Sequence, residues 1–161
     1  LCKKFGFDTL LETDEEFFIN WQGLMHELHL DYTLFFNVLE NEENITNLDS
    51  ILEKISYQSP TNNSISKLEN FYKVYDERLQ KNKITREESV VLMKKNNPKF
   101  ILRNYLLYQC IEEIEKGATD LLEKLTIALE NPYEEIFPEF SIKRPSKYDN
   151  TTGCSTLSCS S

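Results

Sequence analysis

Hydrophobic side chains recur every three or four residues along most of the first 130 positions, which is the spacing of one face of a helix. The clearest such face begins after residue 14 and consists of Phe17, Phe18, Trp21, Leu24, Met25 and Leu28. No stretch shows the strict alternation of apolar and polar residues that is typical of a half-buried strand. The pattern therefore predicts an all-α protein, a bundle of about six or seven helices.

Polar residues in front of these apolar stretches predict where the helices begin. Thr13 with Glu16, and Thr85 with Glu88, have the spacing of a capping box, in which the hydroxyl and the carboxylate each accept a bond from a free backbone N–H. Further helix starts are predicted at Asp31, within residues 44–46, at Ser64 and at Thr119.

Asn97 and Pro98 form a strong start signal, with Asn as the N-cap and Pro at the first helical position. The helix predicted from them includes Asn104, runs to about residue 116 and ends at Gly117, since glycine is favoured just after a helix. Arg103 lies on this helix among apolar residues. We expect it to pair with a carboxylate or a helix C-terminus, because a packed, unpaired guanidinium is unfavourable.

The helical periodicity ends at Asn131 and Pro132. Beyond them, prolines mixed with Ser, Thr and Asn are typical of an extended segment. We therefore predict a helical domain over residues 1–132 and an extended C-terminal arm over residues 133–161, which ends in Cys159-Ser160-Ser161.

Composition and charge narrow the function classes. The 161 residues carry a net charge of -9, which argues against nucleic acid and anionic membranes as partners, because both bind clustered cations. No run approaches the roughly 18 consecutive apolar residues that a membrane span needs. Four dispersed cysteines are too few for a disulfide framework, so we expect a reducing compartment.

A histidine pair and a lysine cluster could indicate metal or phosphate binding, but their sequence context does not support either site. His26 and His29 have the spacing i, i+3, whereas a helical zinc pair of the zincin type has the spacing i, i+4, so we predict surface histidines and no metal. Lys94, Lys95 and Lys99 flank a helix start, but no glycine-rich loop lets a phosphate approach the backbone. A solvated connector is the better interpretation of these lysines. We find no paired acid and base and no activated nucleophile.

The cysteines differ in what their surroundings predict. Cys110 falls on a helix and is expected to be a small buried hydrophobic residue. Cys159 is third from the C-terminus, where it would bury little, and an exposed thiol can oxidise or exchange. Cys154 is five residues earlier and is the second redox candidate. The alternative is that the terminal thiol has no role.

Several short motifs, in order along the chain, resemble the C-terminal end of the SelO (selenoprotein O) family of pseudokinase protein adenylyltransferases. Each motif is weak alone, and the order makes the resemblance specific. They are Lys3-Lys4-Phe5-Gly6-Phe7, Asp31-Tyr32-Thr33 with Phe35 or Phe36, residues 97–106 (Asn-Pro-Lys-Phe-Ile-Leu-Arg-Asn-Tyr-Leu), Asn131-Pro132-Tyr133 and the terminal Cys159-Ser160-Ser161. The departures are Phe100, where the family usually has Tyr, and residues 154–158.

The resemblance implies the C-terminal part of a larger kinase-like enzyme that transfers AMP from ATP, with magnesium, to hydroxyl groups of protein substrates. It implies that the catalytic, metal-binding and nucleotide-binding residues lie upstream in the same polypeptide, so that this chain holds no cofactor and is inactive alone. It also implies a disulfide between Cys159 and an upstream cysteine, although the departures leave Cys154 as an alternative. Bacterial members would be cytoplasmic and eukaryotic members mitochondrial.

A different class of function fits the same helices. The chain could be a non-enzymatic helical module for protein interactions. The two hypotheses differ in what precedes residue 1, because the first requires a kinase-like nucleotide site there and the second does not.

Overall fold

The computed structural model of the chain describes residues 1–41, 47–151 and 154. They belong to two compact units, an amino-terminal unit over Leu1–Pro98 and a carboxy-terminal unit over Lys99–Ser161. Across the described ranges there are seven α-helices, and the only strand-like pairing is one isolated antiparallel bridge between Leu30 and Ser56. The all-α class is thus confirmed. The domain boundary at residue 132 stays a prediction.

Five of the helices belong to the amino-terminal unit and two to the carboxy-terminal unit. The first five are α1 (Asp14–Glu27), α2 (Tyr32–Leu39), α3 (Leu48–Ile55), α4 (Asn62–Leu79) and α5 (Arg86–Lys94), preceded by a 3-10 helix over Cys2–Phe5. The last two are α6 (Asn104–Glu115) and α7 (Asp120–Glu130), followed by 3-10 turns at Pro138–Phe140 and Ser146–Tyr148. Among the described residues, no helix combines the length and the apolar character needed to cross a membrane.

The core of the amino-terminal unit is built around Phe5, whose side chain is fully buried. Its ring centroid lies 5.1 Å from that of Phe17, 5.2 Å from that of Trp21 and 5.0 Å from that of Phe36. Edge-on contacts of this kind stabilise aromatic clusters beyond the area that they bury. The next residue, Gly6, has a φ of 73°, and a Cβ there would lie 3.0 Å from the Ser89 carbonyl oxygen of α5. Glycine therefore lets this turn approach α5 closely.

Several predicted helix ends are confirmed. The Asp31 carboxylate accepts the Leu34 N–H at 3.1 Å and caps α2. Thr85 and Glu88 form the complete capping box at the start of α5. Gly117 follows α6 with a φ of 84°, in the left-handed conformation that ends helices. The start predicted within residues 44–46 lies outside the described residues, and α3 is capped by Asn47.

Three predicted caps are wrong in detail. Thr119 is the N-cap residue of α7, but its hydroxyl makes no capping bond. Thr13 precedes α1, but its hydroxyl makes no capping bond, because its backbone is already helical and the Asp14 carboxylate accepts the Leu11 N–H instead. Ser64 is not the N-cap of α4, which starts three residues earlier behind Thr61. Ser64 instead accepts the Thr61 N–H at 2.8 Å as the partner in a capping box.

The prediction that a helix begins at Asn97 and Pro98 is also wrong, because α6 begins at Asn104. Residues 98–103 are not helical. The N–H groups of Lys99 and Phe100 both donate to the Pro132 carbonyl oxygen, at 2.7 and 3.0 Å, which holds this segment beside the end of α7. Tertiary hydrogen bonds therefore override the local start signal.

The carboxy-terminal unit buries one small cluster. Three of its nine residues follow α7, and five lie on α6 and α7. The cluster consists of Phe100, Tyr105, Leu106, Cys110, Leu125, Ala128, Phe140, Tyr148 and Cys154. The expected burial of Cys110 is confirmed, with 2% of its surface exposed.

Candidate functional site

Three of the motifs that carry the family resemblance meet at the ammonium group of Lys4. Its Nζ donates to the Asn96 carbonyl oxygen at 3.0 Å and to Asn97 Oδ1 at 3.3 Å. The same atom lies 5.6 Å from the ring centroid of Tyr32 and 5.3 Å from that of Phe36, within the range of cation–π attraction. Burial lowers the pKa of the Lys4 ammonium, and the charge of Glu40 opposes that shift.

The side chain of Asn97 also bonds to the backbone of Lys4. Its Nδ2 donates to the Lys4 carbonyl oxygen at 2.9 Å, while its own N–H donates to the Met93 carbonyl oxygen at the end of α5. Only 1% of Asn97 is exposed. Asn97 therefore uses its side chain to fasten the end of α5 to the 3-10 helix at Cys2–Phe5, and this use explains why it does not cap a helix.

Asp31, from the second motif, has a comparable structural role. Besides capping α2, its carboxylate accepts the Tyr57 hydroxyl at 2.8 Å, and its N–H donates to the Ile55 carbonyl oxygen at 2.7 Å. These bonds join the start of α2 to the end of α3. The motif residues on the amino-terminal unit thus hold helices to one another.

A buried ion pair joins Arg78 and Asp14 in the amino-terminal unit. Nη2 of Arg78 donates to Asp14 Oδ2 at 2.9 Å and to the Thr9 carbonyl oxygen at 2.7 Å. Its Nη1 donates to Asn82 Oδ1 at 3.1 Å, and its guanidinium carbon lies 4.1 Å from the Phe7 ring centroid. All three nitrogens of the guanidinium therefore donate to groups of the amino-terminal unit.

The pKa of Asp14 reflects two opposing effects. Burial alone would raise it, but the hydrogen bonds and the charge of Arg78, with the Leu11 N–H, outweigh burial and lower it. The carboxylate is thus held ionised. Sequence reasoning missed this pair, since its members are 64 residues apart and each carries only an ordinary charged side chain at its own position.

Of the two redox candidates, the structure describes Cys154. Cys154 is 6% exposed, and its N–H donates to the Thr151 carbonyl oxygen at 3.0 Å. It belongs to the same cluster as Tyr148, whose ring lies stacked 5.6 Å from that of Tyr105 and whose hydroxyl accepts Gln109 Nε2 at 2.6 Å. Cys159 lies outside the described residues. The redox role of both cysteines stays a prediction.

The remaining motif residues lie where residues 98–103 lead into α6. Pro98 is half-buried in the non-helical segment, Arg103 occupies the N-cap position, and the exposed Asn104 is the first helical residue. The Arg103 carbonyl oxygen accepts the N–H groups of Leu106 and Leu107 at 2.9 and 3.1 Å. The ion pair expected for Arg103 stays a prediction.

The prediction that ATP and magnesium bind upstream, and not in this chain, stays a prediction. Across residues 1–41, 47–151 and 154, no three His, Cys, Asp or Glu side chains are grouped as metal ligands would be. His26, in the last turn of α1, and His29, two residues after the end of that helix, are both exposed, and their ring centroids are 6.3 Å apart. Gly6, Gly23 and Gly117 are dispersed singly and form no loop that could hold phosphate.

Comparison with known proteins places these features in a family context. The family model described as protein adenylyltransferase SelO matches residues 1–130. Proteins named protein nucleotidyltransferase YdiU match nearly the whole chain. That of Cytophaga hutchinsonii is 32% identical over 100% of this chain and 32% of its own length. That of Flavobacterium johnsoniae is 30% identical over 98% of this chain and 32% of its own length. That of Xanthomonas oryzae pv. oryzae is 30% identical over 98% of this chain and 31% of its own length. The chain thus spans about a third of the length of the curated relatives that it matches.

Proposed function

The chain belongs to the SelO family of protein adenylyltransferases, and from this premise we propose that it is the helical, structural and regulatory region of such an enzyme. The enzyme transfers AMP from ATP to hydroxyl side chains of protein substrates. Its catalytic residues belong to a kinase-like, pseudokinase domain upstream in the same polypeptide, where ATP and magnesium bind. That domain is the principal partner of this chain.

The structural part of the proposal is supported by the contacts that the motif residues make. Lys4, Asp31 and Asn97 come from three separate motifs, and the polar side-chain atoms of each form hydrogen bonds within the amino-terminal unit. Catalytic groups need polar atoms that face a substrate. A scaffold that supports an upstream catalytic domain needs residues that hold its own helices together, as these three residues do.

The regulatory part of the proposal concerns Cys159. Its thiolate attacks a small-molecule disulfide, which forms a mixed disulfide on Cys159 and releases one thiol. The thiolate of an upstream cysteine then attacks this mixed disulfide, which forms the internal disulfide and releases the second thiol. The burial of Cys154 supports Cys159 as the exchanging residue, because a thiol packed among aromatic rings is a poor nucleophile. The compartment follows the source: the cytoplasm for a bacterial protein and mitochondria for a eukaryotic one.

AMP transfer from α-labelled ATP tests the proposal. We expect the longer polypeptide that contains this chain to label itself or an added protein in the presence of magnesium, and the 161-residue chain alone to give no label. Labelling by the isolated chain would contradict the assignment of catalysis to an upstream domain. A longer polypeptide without a kinase-like nucleotide site, and without label, would favour the alternative of a helical interaction module.

A further inference from the structure

An open groove runs between α1 and α4 in the amino-terminal unit. The two helices are antiparallel, since Asp14 pairs with Arg78 at one end and Glu27 pairs with Lys67 at the other. The groove between them has a volume of 770 Å³. Its apolar lining consists of Phe17, Ile19, Leu24, Phe71 and Val74. Ile19 is 61% exposed and Val74 is 43% exposed, so the groove presents hydrophobic surface to solvent.

Gly23 keeps this groove open. It lies within α1, where glycine is less favourable than most residues. A Cβ built on Gly23 would meet nothing within 4 Å, so packing within the unit does not require a glycine there. What the missing side chain provides is space in the groove that Gly23 lines.

The groove continues towards the start of α1 and becomes acidic. A second section of 320 Å³ shares Phe17, Asn20 and Val74 with the first and is lined further on by Glu16, Glu77 and Lys81. Next to this end are four exposed carboxylates that make no ion pair with any described residue: Glu15, Glu16, Asp76 and Glu77. The guanidinium of Arg78 is already bound to Asp14, which leaves Lys81 as the one cation in the lining of this section that no carboxylate of the described residues pairs with.

We propose that this groove binds an amphipathic helix of a partner protein, with a hydrophobic stripe in the apolar section and Lys or Arg residues beside Glu16 and Glu77. Helices bind to such grooves through residues at i, i+3, i+4 and i+7. The 14 residues of α1 provide a wall about 21 Å long, which is the length of about four helical turns. The cations match the acidic end, and the apolar stripe matches the exposed Ile19 and Val74.

Titration with model peptides tests the chemistry of the occupant. The probe is a fluorescein-labelled helical peptide of about 14 residues, with leucines at the i, i+3, i+4 and i+7 spacing and lysines in its final turn. Its matched control carries glutamates in place of the lysines. By fluorescence anisotropy on the full 161-residue chain, we expect the lysine peptide to bind at least about tenfold more tightly at low salt, with the difference shrinking as salt rises. Equal binding of the two peptides, or no binding of either, would overturn the proposal.

Substitutions locate the binding. Gly23→Leu fills the groove and should weaken the binding of the lysine peptide at least about tenfold. The Tm of the protein should stay the same or rise, because leucine favours a helix more than glycine does. Gln22→Leu, on the neighbouring exposed residue outside the groove lining, is the matched control and should bind as the wild type does. If a folded Gly23→Leu variant bound the peptide as the wild type does, the groove would not be the site.

Charge reversal tests the acidic end separately. Glu16→Lys with Glu77→Lys should lower the affinity for the lysine peptide about tenfold and raise that for the glutamate peptide. Glu115→Lys with Glu123→Lys changes the net charge equally on exposed positions of α6 and α7. If this second pair had the same effect as the first, binding would follow net charge alone, and the proposed orientation would be wrong.

Discussion

The amino-terminal and carboxy-terminal units bury their side chains in different ways. The amino-terminal unit surrounds Phe5 with aromatic rings from three helices and pairs the buried Arg78 with the buried Asp14. The carboxy-terminal unit has two helices, and its cluster is completed by Phe140, Tyr148 and Cys154 from irregular chain. Its helices also keep hydrophobic side chains exposed, namely Leu107, Ile111 and Ile114 on α6 and Leu122, Ile127 and Leu129 on α7.

The difference indicates how each unit should respond to change. Long-range polar bonds and a large aromatic core distribute the stability of the amino-terminal unit over many elements. The smaller unit depends on a few side chains that hold irregular chain against α6 and α7. Because Trp21 is the only tryptophan of the chain, its fluorescence reports on the amino-terminal unit, and chemical labelling of Cys154 reports on the carboxy-terminal unit.

The largest effect should come from breaking the buried ion pair. Arg78→Met leaves the Asp14 carboxylate buried without its cation, and we expect the free energy of unfolding to fall by about 3–5 kcal/mol. Urea unfolding followed by Trp21 fluorescence measures this. The control is Lys67→Met, which removes the exposed partner of Glu27 and should change stability by about 1 kcal/mol or less.

The pH dependence of the same variant provides a second check. In the wild type, the lowered pKa of Asp14 means that the pair stabilises the fold above the unfolded pKa of about 4 and is lost as the pH falls through the folded pKa. In Arg78→Met, burial without the cation raises the pKa of Asp14, so protonation of Asp14 removes the unpaired buried charge that destabilises the variant. The difference in the free energy of unfolding between the wild type and Arg78→Met should therefore shrink as the pH falls from about 7 to about 3. A constant difference over that range would contradict our account of the pair.

Tyr148→Ala should be the next largest effect and should be confined to the carboxy-terminal unit. It removes the ring stacked on Tyr105 and the hydroxyl that accepts Gln109, at a cost of about 3 kcal/mol. Labelling of Cys154 by a maleimide, read by mass spectrometry, should accelerate about a hundredfold. The Trp21 unfolding curve should not move. Tyr133→Ala, at a 51% exposed position, is the control, and equal acceleration by both would contradict the role given to Tyr148.

Lys4→Met should have a moderate effect on the amino-terminal unit. The variant keeps apolar contact with Tyr32 and Phe36 but loses the charged donor to Asn96 and Asn97, so we expect a loss of about 1–2 kcal/mol by Trp21 fluorescence. Lys3→Met changes the neighbouring exposed lysine and should be nearly neutral. Similar losses of stability from both variants would show that the loss of one positive charge, and not the loss of the contacts of Lys4, is responsible.

The smallest effects should come from the helix caps, and they contrast the two units. Thr85→Ala removes a formed capping box of α5 and should cost about 1 kcal/mol. Thr119→Ala, at the start of α7, removes a hydroxyl that makes no capping bond, so the rate of Cys154 labelling should not change. A marked acceleration there would mean that the Thr119 hydroxyl caps α7 in solution.

Local signals account for what could be predicted from the sequence. Apolar periodicity identified the helical stretches, and Asp31, Thr85 and Gly117 act through neighbours within a few residues, which a sequence pattern contains. Asn97 carries the same local start signal, but its side chain bonds to Lys4, 93 residues away. Nothing at position 97 indicates that long-range partner.

The site could be predicted less fully for the same reason. The motifs indicated the family, and the comparisons confirm it. The meeting of Lys4, Tyr32 and Asn97, the ion pair of Asp14 with Arg78 and the burial of Cys154 all depend on tertiary packing. Composition indicated nothing about the groove at Gly23, since an isolated glycine in a helical pattern has no particular meaning until its surroundings are known.

The most direct test of the central claim is AMP incorporation from α-labelled ATP by the longer polypeptide without reductant, with Cys159→Ser compared to Cys154→Ser. Our account expects Cys159→Ser to be more active than the wild type, because it removes the disulfide, and Cys154→Ser to match the wild type, because Cys154 is a packing residue. Activation by Cys154→Ser alone, or no difference among the three proteins, would contradict it.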